Sequence, residues 1–249
     1  MEIPGSVPKW LFAGAWTAGV GTAIIARYAL GDDRAPSRLT RHWAHGIARA
    51  CGLSVEVFGK DSVDWDRTYV IMPNHLSPVD ILALIETLPF VPGFLAKKEL
   101  RTIPVLGKAM ESAGHVFIDR ANRSDAVRAL DEAADRVRSG RSIVVFPEGT
   151  RGDGHCLRPF KKGGFHLARR AGVGLLPIGL RGTADVLGRH GSQIRSGRAE
   201  VHIGIPIPPE ELAELSLEQL MLRTNAAISE LSGIPASARP SAPSEPPSA

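Results

Sequence analysis

The sequence is poor in cysteine: two thiols in 249 residues, Cys51 and Cys156, with no CxxC and no paired framework. No disulfide scaffold is encoded, and a reducing compartment is the default. Aromatic residues are also scarce, at 6%, and no run of Lys and Arg interleaves with them. No nucleic-acid-binding module is recognisable. The formal charge of +4 therefore points to phosphorylated ligands or an anionic membrane surface rather than to nucleic acid. Internal repeats are absent, as is any G-x-S-x-G turn that would present a nucleophilic serine. His42 and His45 are three residues apart but lack a carboxylate or a third ligand, so no metal or other cofactor is implied. What remains suits one substantial α/β domain with a buried core.

The N-terminus departs from a plain globular chain. Trp10 to Ala26 runs seventeen residues without a charge and ends at Arg27, just short of the ~20 residues that a bilayer crossing needs. Trp10, Trp16 and Tyr28 stand where interfacial aromatics anchor such a segment. A cleaved signal peptide fits poorly, because the n-region sets only Lys9 against Glu2 and no A-x-A site follows. A buried core helix is a second reading. The favoured one is a membrane anchor, half-inserted in preference to spanning. Arg27, Arg34, Arg38 and Arg41 outnumber Asp32 and Asp33 after it, which puts the rest of the chain on the cytoplasmic face of the cell membrane. Ala35 to Gly52 reads as a second helix, with Leu39, Trp43, Ile47 and Ala50 at helical spacing among basic residues. It is either an interfacial helix or an ordinary surface one.

From residue 54 strands and helices alternate. Candidate strands are Ser54–Gly59, Thr68–Met72, Gly93–Ala96, His115–Ile118, Ser142–Phe146, Gly174–Leu180 and Ala199–Ile205. Ser124 to Ser139 is the clearest helix, with Ser124 as its N-cap and Gly140 at its stop. Phe165 to Ala171 is a shorter one, and Ser216 with Gln219 makes a capping box for a last helix to about Leu231. The fold class is thus α/β: a mainly parallel, mixed sheet of about seven strands covered by helices, preceded by an N-terminal membrane-docking helix pair. The expected division is residues 1–52 for the anchoring helices, 53–232 for the catalytic domain, and 233–249 for a disordered Pro/Ser/Ala tail.

Chemistry-bearing residues gather where strands end. Asn74-His75-Leu76-Ser77-Pro78-Val79-Asp80 follows the second strand. One reading makes Ser77 and Asp80 a helix cap and His75 a loop residue. The other has Asp80 fix the His75 tautomer so that the imidazole can take a proton from a hydroxyl. The two are compatible. Phe146-Pro147-Glu148-Gly149-Thr150-Arg151 leaves the fifth strand, and such a loop suits a hydroxylated phosphate: Arg supplies a fork, Gly lets backbone N–H groups approach, Glu accepts from hydroxyls. Lys97 and Arg120 leave two further strands. Each could be a solvated surface charge. If the four strands are parallel neighbours, however, one crevice receives a base, a carboxylate and three cations.

These segments, with Pro104-x-x-Gly107, Phe160-Lys161-Lys162-Gly163 and Leu175-Leu176-Pro177-Ile178-Gly179-Leu180, resemble the ordered motifs of the PlsC-type glycerolipid acyltransferases over about residues 54–205. The resemblance implies His75 as base and Asp80 as its partner. It implies Arg120, Glu148, Gly149, Thr150 and Arg151 as glycerol-phosphate contacts, with Lys97 helping to hold the phosphate. It further implies direct acyl transfer from acyl-CoA or acyl carrier protein to a lysolipid hydroxyl, without a cofactor. Leu76 departs from the pattern, since many members carry a polar residue there. A thioester or lipid hydrolase using the same pair, and a non-catalytic lipid-binding protein, are the rival classes.

Overall fold

A computed structural model of the chain describes residues 6–236. Within them the alternation resolves into β1 (Leu53–Phe58), β2 (Tyr69–Pro73), β3 (Gly93–Lys97), β4 (Val116–Ile118), β5 (Ile143–Val144), β6 (Gly174–Arg181) and β7 (Gly197–Ile203). They form one sheet in the order β1-β7-β6-β2-β5-β3-β4. β6, β2, β5, β3 and β4 are all parallel, β7 runs antiparallel to β6, and β1 is parallel to β7. The second to fifth strands therefore end along one edge, as the crevice argument requires. β5 is shorter than the reading Ser142–Phe146: Val145 still donates to the Ile71 carbonyl at 2.9 Å, but Phe146 turns away into Pro147.

The helices are α1 (Val7–Ala29), α2 (Ala35–Cys51), α3 (Val79–Thr87), α4 (Leu106–Ser112), α5 (Arg123–Arg138), α6 (Gly163–Ala171), α7 (Thr183–Val186), α8 (Pro209–Glu214) and α9 (Leu217–Ser232). Successive strand residues face opposite sides of the sheet. Tyr69 and Ile71 of β2 join the layer made by α2 and α3, while Val70 and Met72 join the layer of α5, α6 and α9. Ser216 and Gln219 form the expected capping box. The N-cap of α5 is a correction: Asn122, not Ser124, accepts from the amides of Ser124 and Asp125. Its Oδ1 lies two residues before the first of those amides, which is the geometry an N-cap needs. The short α4, α7 and α8 span less than two turns each, too short for a periodic pattern to show.

α1 is neither a core helix nor wholly exposed. Val20, Gly21 and Ile24 are buried, and Gly21 lies so close to Val105 that an added Cβ would sit 2.9 Å from its Cγ1. Leu11, 69% exposed, and Phe12 lie off that face, while Trp10 is tied to the domain through Nε1 to the Ser192 carbonyl at 2.7 Å. α1 is pinned to α2 through Trp16 Nε1 to the Trp43 carbonyl (3.2 Å) and Trp43 Nε1 to Thr17 Oγ1 (2.9 Å). Among the described residues no helix is long and apolar enough to cross a membrane. At the other end the packed chain continues past residue 232. Ile234 is buried and the Pro235 carbonyl accepts from Leu157 N at 2.9 Å, which corrects the start of the tail. Residues 237–249 of the expected tail lie outside the described ones.

Buried His115 makes stability depend on pH. Its Nδ1 accepts from Phe94 N at 3.1 Å, and burial, then Arg141 and Arg136, lower its pKa from 6.5 to about 3. Because the folded value is the lower one, the unfolded chain takes up this proton first as pH falls. The contribution is complete above pH 6.5 and is lost between there and about 3. Urea melts should show wild type losing up to ~1.4 kcal/mol per pH unit more than His115→Gln across that window. Equal slopes would mean that His115 is protonated in the folded state.

Candidate active site

The buried carboxylate of Asp80 organises the turn after β2. Its Oδ2 accepts from His75 Nδ1 at 2.7 Å, Leu76 N at 2.8 Å and Ser77 N at 2.9 Å. Its place in the first turn of α3 favours negative charge. A carboxylate partner requires the proton on Nδ1, which leaves Nε2 with a lone pair. Ser77 Oγ accepts from Val79 N at 3.0 Å and donates to the Leu187 carbonyl at 2.6 Å. The cap and the His75–Asp80 hydrogen bond therefore coexist, and the Ser77 hydroxyl both donates and accepts. The His75 ring stacks on Phe146 with centroids 3.8 Å apart and keeps 17% of its side-chain surface exposed.

The backbone of His75 is gripped from the neighbouring strand. His75 N donates to Glu148 Oε1 at 2.8 Å, and its carbonyl accepts from Gly152 N at 2.7 Å. Glu148 Oε2 accepts from Arg158 N at 3.0 Å. Burial pushes the Glu148 carboxyl up, and these two amides hold it down. On the far side Asn74 is buried; its amide donates to the Leu180 carbonyl (3.0 Å) and accepts from Leu180 N (2.7 Å). That side chain extends the β2–β6 ladder by one rung after the chain of β2 has left it.

The cations gather at Gly149. Arg120 Nη1 donates to the Gly149 carbonyl. An added Cβ at Gly149 would lie 3.4 Å from Lys161 Cγ and 3.8 Å from Arg120 Nη1, and its φ of +72° favours glycine. Arg151 is half-buried in the same loop and Thr150 is exposed. Lys97 ends β3 with its ammonium 3.1 Å from Glu99, so it is engaged on the surface. Among the described residues no group of three or more His, Cys, Asp or Glu could hold a metal ion.

The model of the acyltransferase family matches residues 54–181, just over half of the chain. The chain belongs to the acyltransferase family. An uncharacterized family member of Schizosaccharomyces pombe is 38% identical over 216 residues, covering 84% of this chain and 76% of that protein. 1-Acyl-sn-glycerol-3-phosphate acyltransferase alpha of Ovis aries is 37% identical over 162 residues, 65% of this chain. That alignment spans 56% of the sheep protein's length. The crystal structure of the 1-acyl-sn-glycerophosphate acyltransferase PlsC from Thermotoga maritima superposes with a TM-score of 0.78 at 24% identity, covering 90% of this chain and 92% of that one. It shares the fold.

The structure gives one expected residue a further part and adds others. Glu148, expected to accept from substrate hydroxyls, is buried and accepts a main-chain N–H at each oxygen, which braces the peptide of His75. Asn74 and Gly152, neither singled out from the sequence, complete that brace. Lys161 was visible only as part of a basic motif, and the bond from its amide to the Pro147 carbonyl, 2.7 Å, folds it back beside Gly149. A brace and a substrate contact fail differently. Glu148→Gln, which puts an NH₂ opposite a backbone N–H, should lower kcat by about tenfold or more with little change in acceptor KM. Steady-state kinetics decide it: a raised KM at unchanged kcat would return Glu148 to the substrate.

Proposed function

We propose that the protein transfers a fatty acyl group from acyl-CoA or acyl carrier protein to the sn-2 hydroxyl of 1-acylglycerol-3-phosphate, giving phosphatidate for phospholipid synthesis. The observation that carries this is a base with a free Nε2, His75, set beside a strand-end loop where Arg120 and Lys161 flank Gly149. The names of the Ovis aries and Saccharomyces cerevisiae relatives support the acceptor. Nε2 takes the hydroxyl proton as the oxygen attacks the thioester carbonyl. The tetrahedral intermediate collapses, breaking the C–S bond, and the thiolate leaves with the proton from the imidazolium. Asp80 holds the ring and stabilises its transient charge. This chemistry needs no acyl-enzyme and no cofactor. Arg120, Arg151 and Lys161 hold the phosphate, and Lys97 joins them by leaving Glu99, an exposed pair worth little.

The deciding assay offers acyl-CoA with a panel of lysolipid acceptors. Phosphatidate formation should dominate, and His75→Ala should reduce it by roughly 10²–10⁴-fold. Arg120→Ala should chiefly raise the KM of the phosphorylated acceptor, by about tenfold or more. Acceptor-independent release of fatty acid as the main product would establish the hydrolase instead.

We also infer that α1 and α2 seat the protein on the cytoplasmic face of the membrane without crossing it. The exposed apolar side chains of Leu11 and Phe12 on α1 support this. The double variant Leu11→Glu/Phe12→Glu should lose most of its sedimentation with vesicles while keeping its rate on a short-chain acceptor in detergent. Undiminished vesicle binding would remove the docking role from this face.

A further inference from the structure

A groove of about 1040 Å³ opens at the edge of the sheet opposite His75, where Thr68, Val91 and Ser142 lead into β2, β3 and β5 and α2 forms the facing wall. Arg38, Arg41, Arg67 and Arg141 line it. Three of the four have partners. Arg41 closes the end of α3 through the carbonyls of Ile85 (3.0 Å) and Leu88 (3.1 Å). Arg38 pairs with Asp32 (3.1 Å) and Arg67 with Asp64 (3.3 Å), both on the surface.

Arg141 is different. It is half-buried, and among the described residues no carboxylate lies within salt-bridge distance of it. Its one side-chain hydrogen bond is a long one, Nη2 to Ser37 Oγ at 3.4 Å. Its guanidinium lies directly over Gly114, where an added Cβ would meet Nη1. Burial and the neighbouring Arg136 both oppose its charge, and buried His115 beside it stays neutral for the same reasons. The carbonyl end of α5 offsets part of this, since Arg141 follows that helix directly. A half charge spread over a last turn is still no substitute for the planar acceptor that a guanidinium fork takes.

We propose that this groove is a second anion site, binding a single phosphate group with Arg141 as its anchor and the Ser37 and Thr68 hydroxyls as further donors. Arg38 and Arg67 can swing to it, because their exposed pairs contribute little. Asp33 and Asp66 at the exposed rim, with Glu86 on the α3 side facing His45 at 3.3 Å, select against polyphosphates and leave one phosphate as the ligand class. It arrives either as the headgroup of an anionic lipid, given that α2 lines the groove, or as free phosphate.

The test uses the full chain in detergent, in an Arg120→Ala/Arg151→Ala/Lys161→Ala background that removes three of the four phosphate contacts proposed at the active site. Added inorganic phosphate should raise the thermal midpoint in a saturable way that chloride of matched ionic strength does not reproduce. Arg141→Gln should demand about tenfold more phosphate or abolish the rise. Arg38→Glu, an exposed change safe for folding, should weaken it too. Phosphatidylcholine vesicles with and without phosphatidate then identify the source. A loss of binding in Arg141→Gln confined to the phosphatidate vesicles assigns the lipid headgroup, and unchanged vesicle binding with a lost phosphate response assigns free phosphate. No saturable response in the background protein, a response equalled by chloride, or one unchanged in Arg38→Glu overturns the site.

Discussion

Asp80 places a carboxylate where no solvent reaches it, and three donors converge on its Oδ2 atom. Burying such a charge is costly unless hydrogen bonds and a favourable field replace its water. Here the amides of Leu76 and Ser77, the imidazole and the first turn of α3 do so at Oδ2, while Oδ1 is buried with no hydrogen-bond partner among the described residues. The turn therefore has one satisfactory conformation, and that conformation aims His75. A second buried carboxylate repeats the device from the next strand: Glu148 spends its oxygens on His75 N and Arg158 N. His75 is thus fixed at its ring by one acid and at its peptide by another.

This dependence explains the sheet order. β2 delivers His75, and β5, its direct neighbour, delivers Glu148 and Gly152. β6 on the other side delivers the Leu180 rung that Asn74 completes. A parallel arrangement is required at all three, because only strands running the same way bring their outgoing loops to one edge. β7 and β1 lie beyond β6, reversed in direction, and supply no residue to this edge. β3 and β4 extend the parallel run outward and bring Lys97 and Arg120 to it.

Much of this was legible because hydrophobic period and strand-end position are local signals. The seven strands, the His75–Asp80 relation and the meeting of Arg120 with the Gly149 loop followed from alternation plus the rule that parallel strands end together. The bracing by Glu148 was not legible, because nothing local to Pro147-Glu148-Gly149 says that it is buried against the next strand's loop. Asn74 and Lys161 were missed for a related reason: their partners lie 106 residues away in one case and across a folded loop in the other. The N-cap of α5 failed on a finer point, since Asn122 and Ser124 are both good caps. The choice went to the side chain that could reach two amides.

The N-terminal helices show how one segment can serve packing and surface together. A helix committed to the core would bury its whole apolar stripe, yet α1 buries only Val20, Gly21 and Ile24 and leaves Leu11 and Phe12 exposed. Its attachment rests on close approach rather than area. Gly46 of α2 admits the Trp16 ring where any Cβ would collide, and Gly21 admits Val105 in the same way. Glycine inside a helix weakens it by roughly 0.5–1 kcal/mol relative to alanine. Gly21 in α1 and Gly46 in α2 each give up some helical propensity for close approach between α1 and its neighbours, whereas Gly14 and Gly19 of α1 meet nothing within 4 Å and serve no such contact.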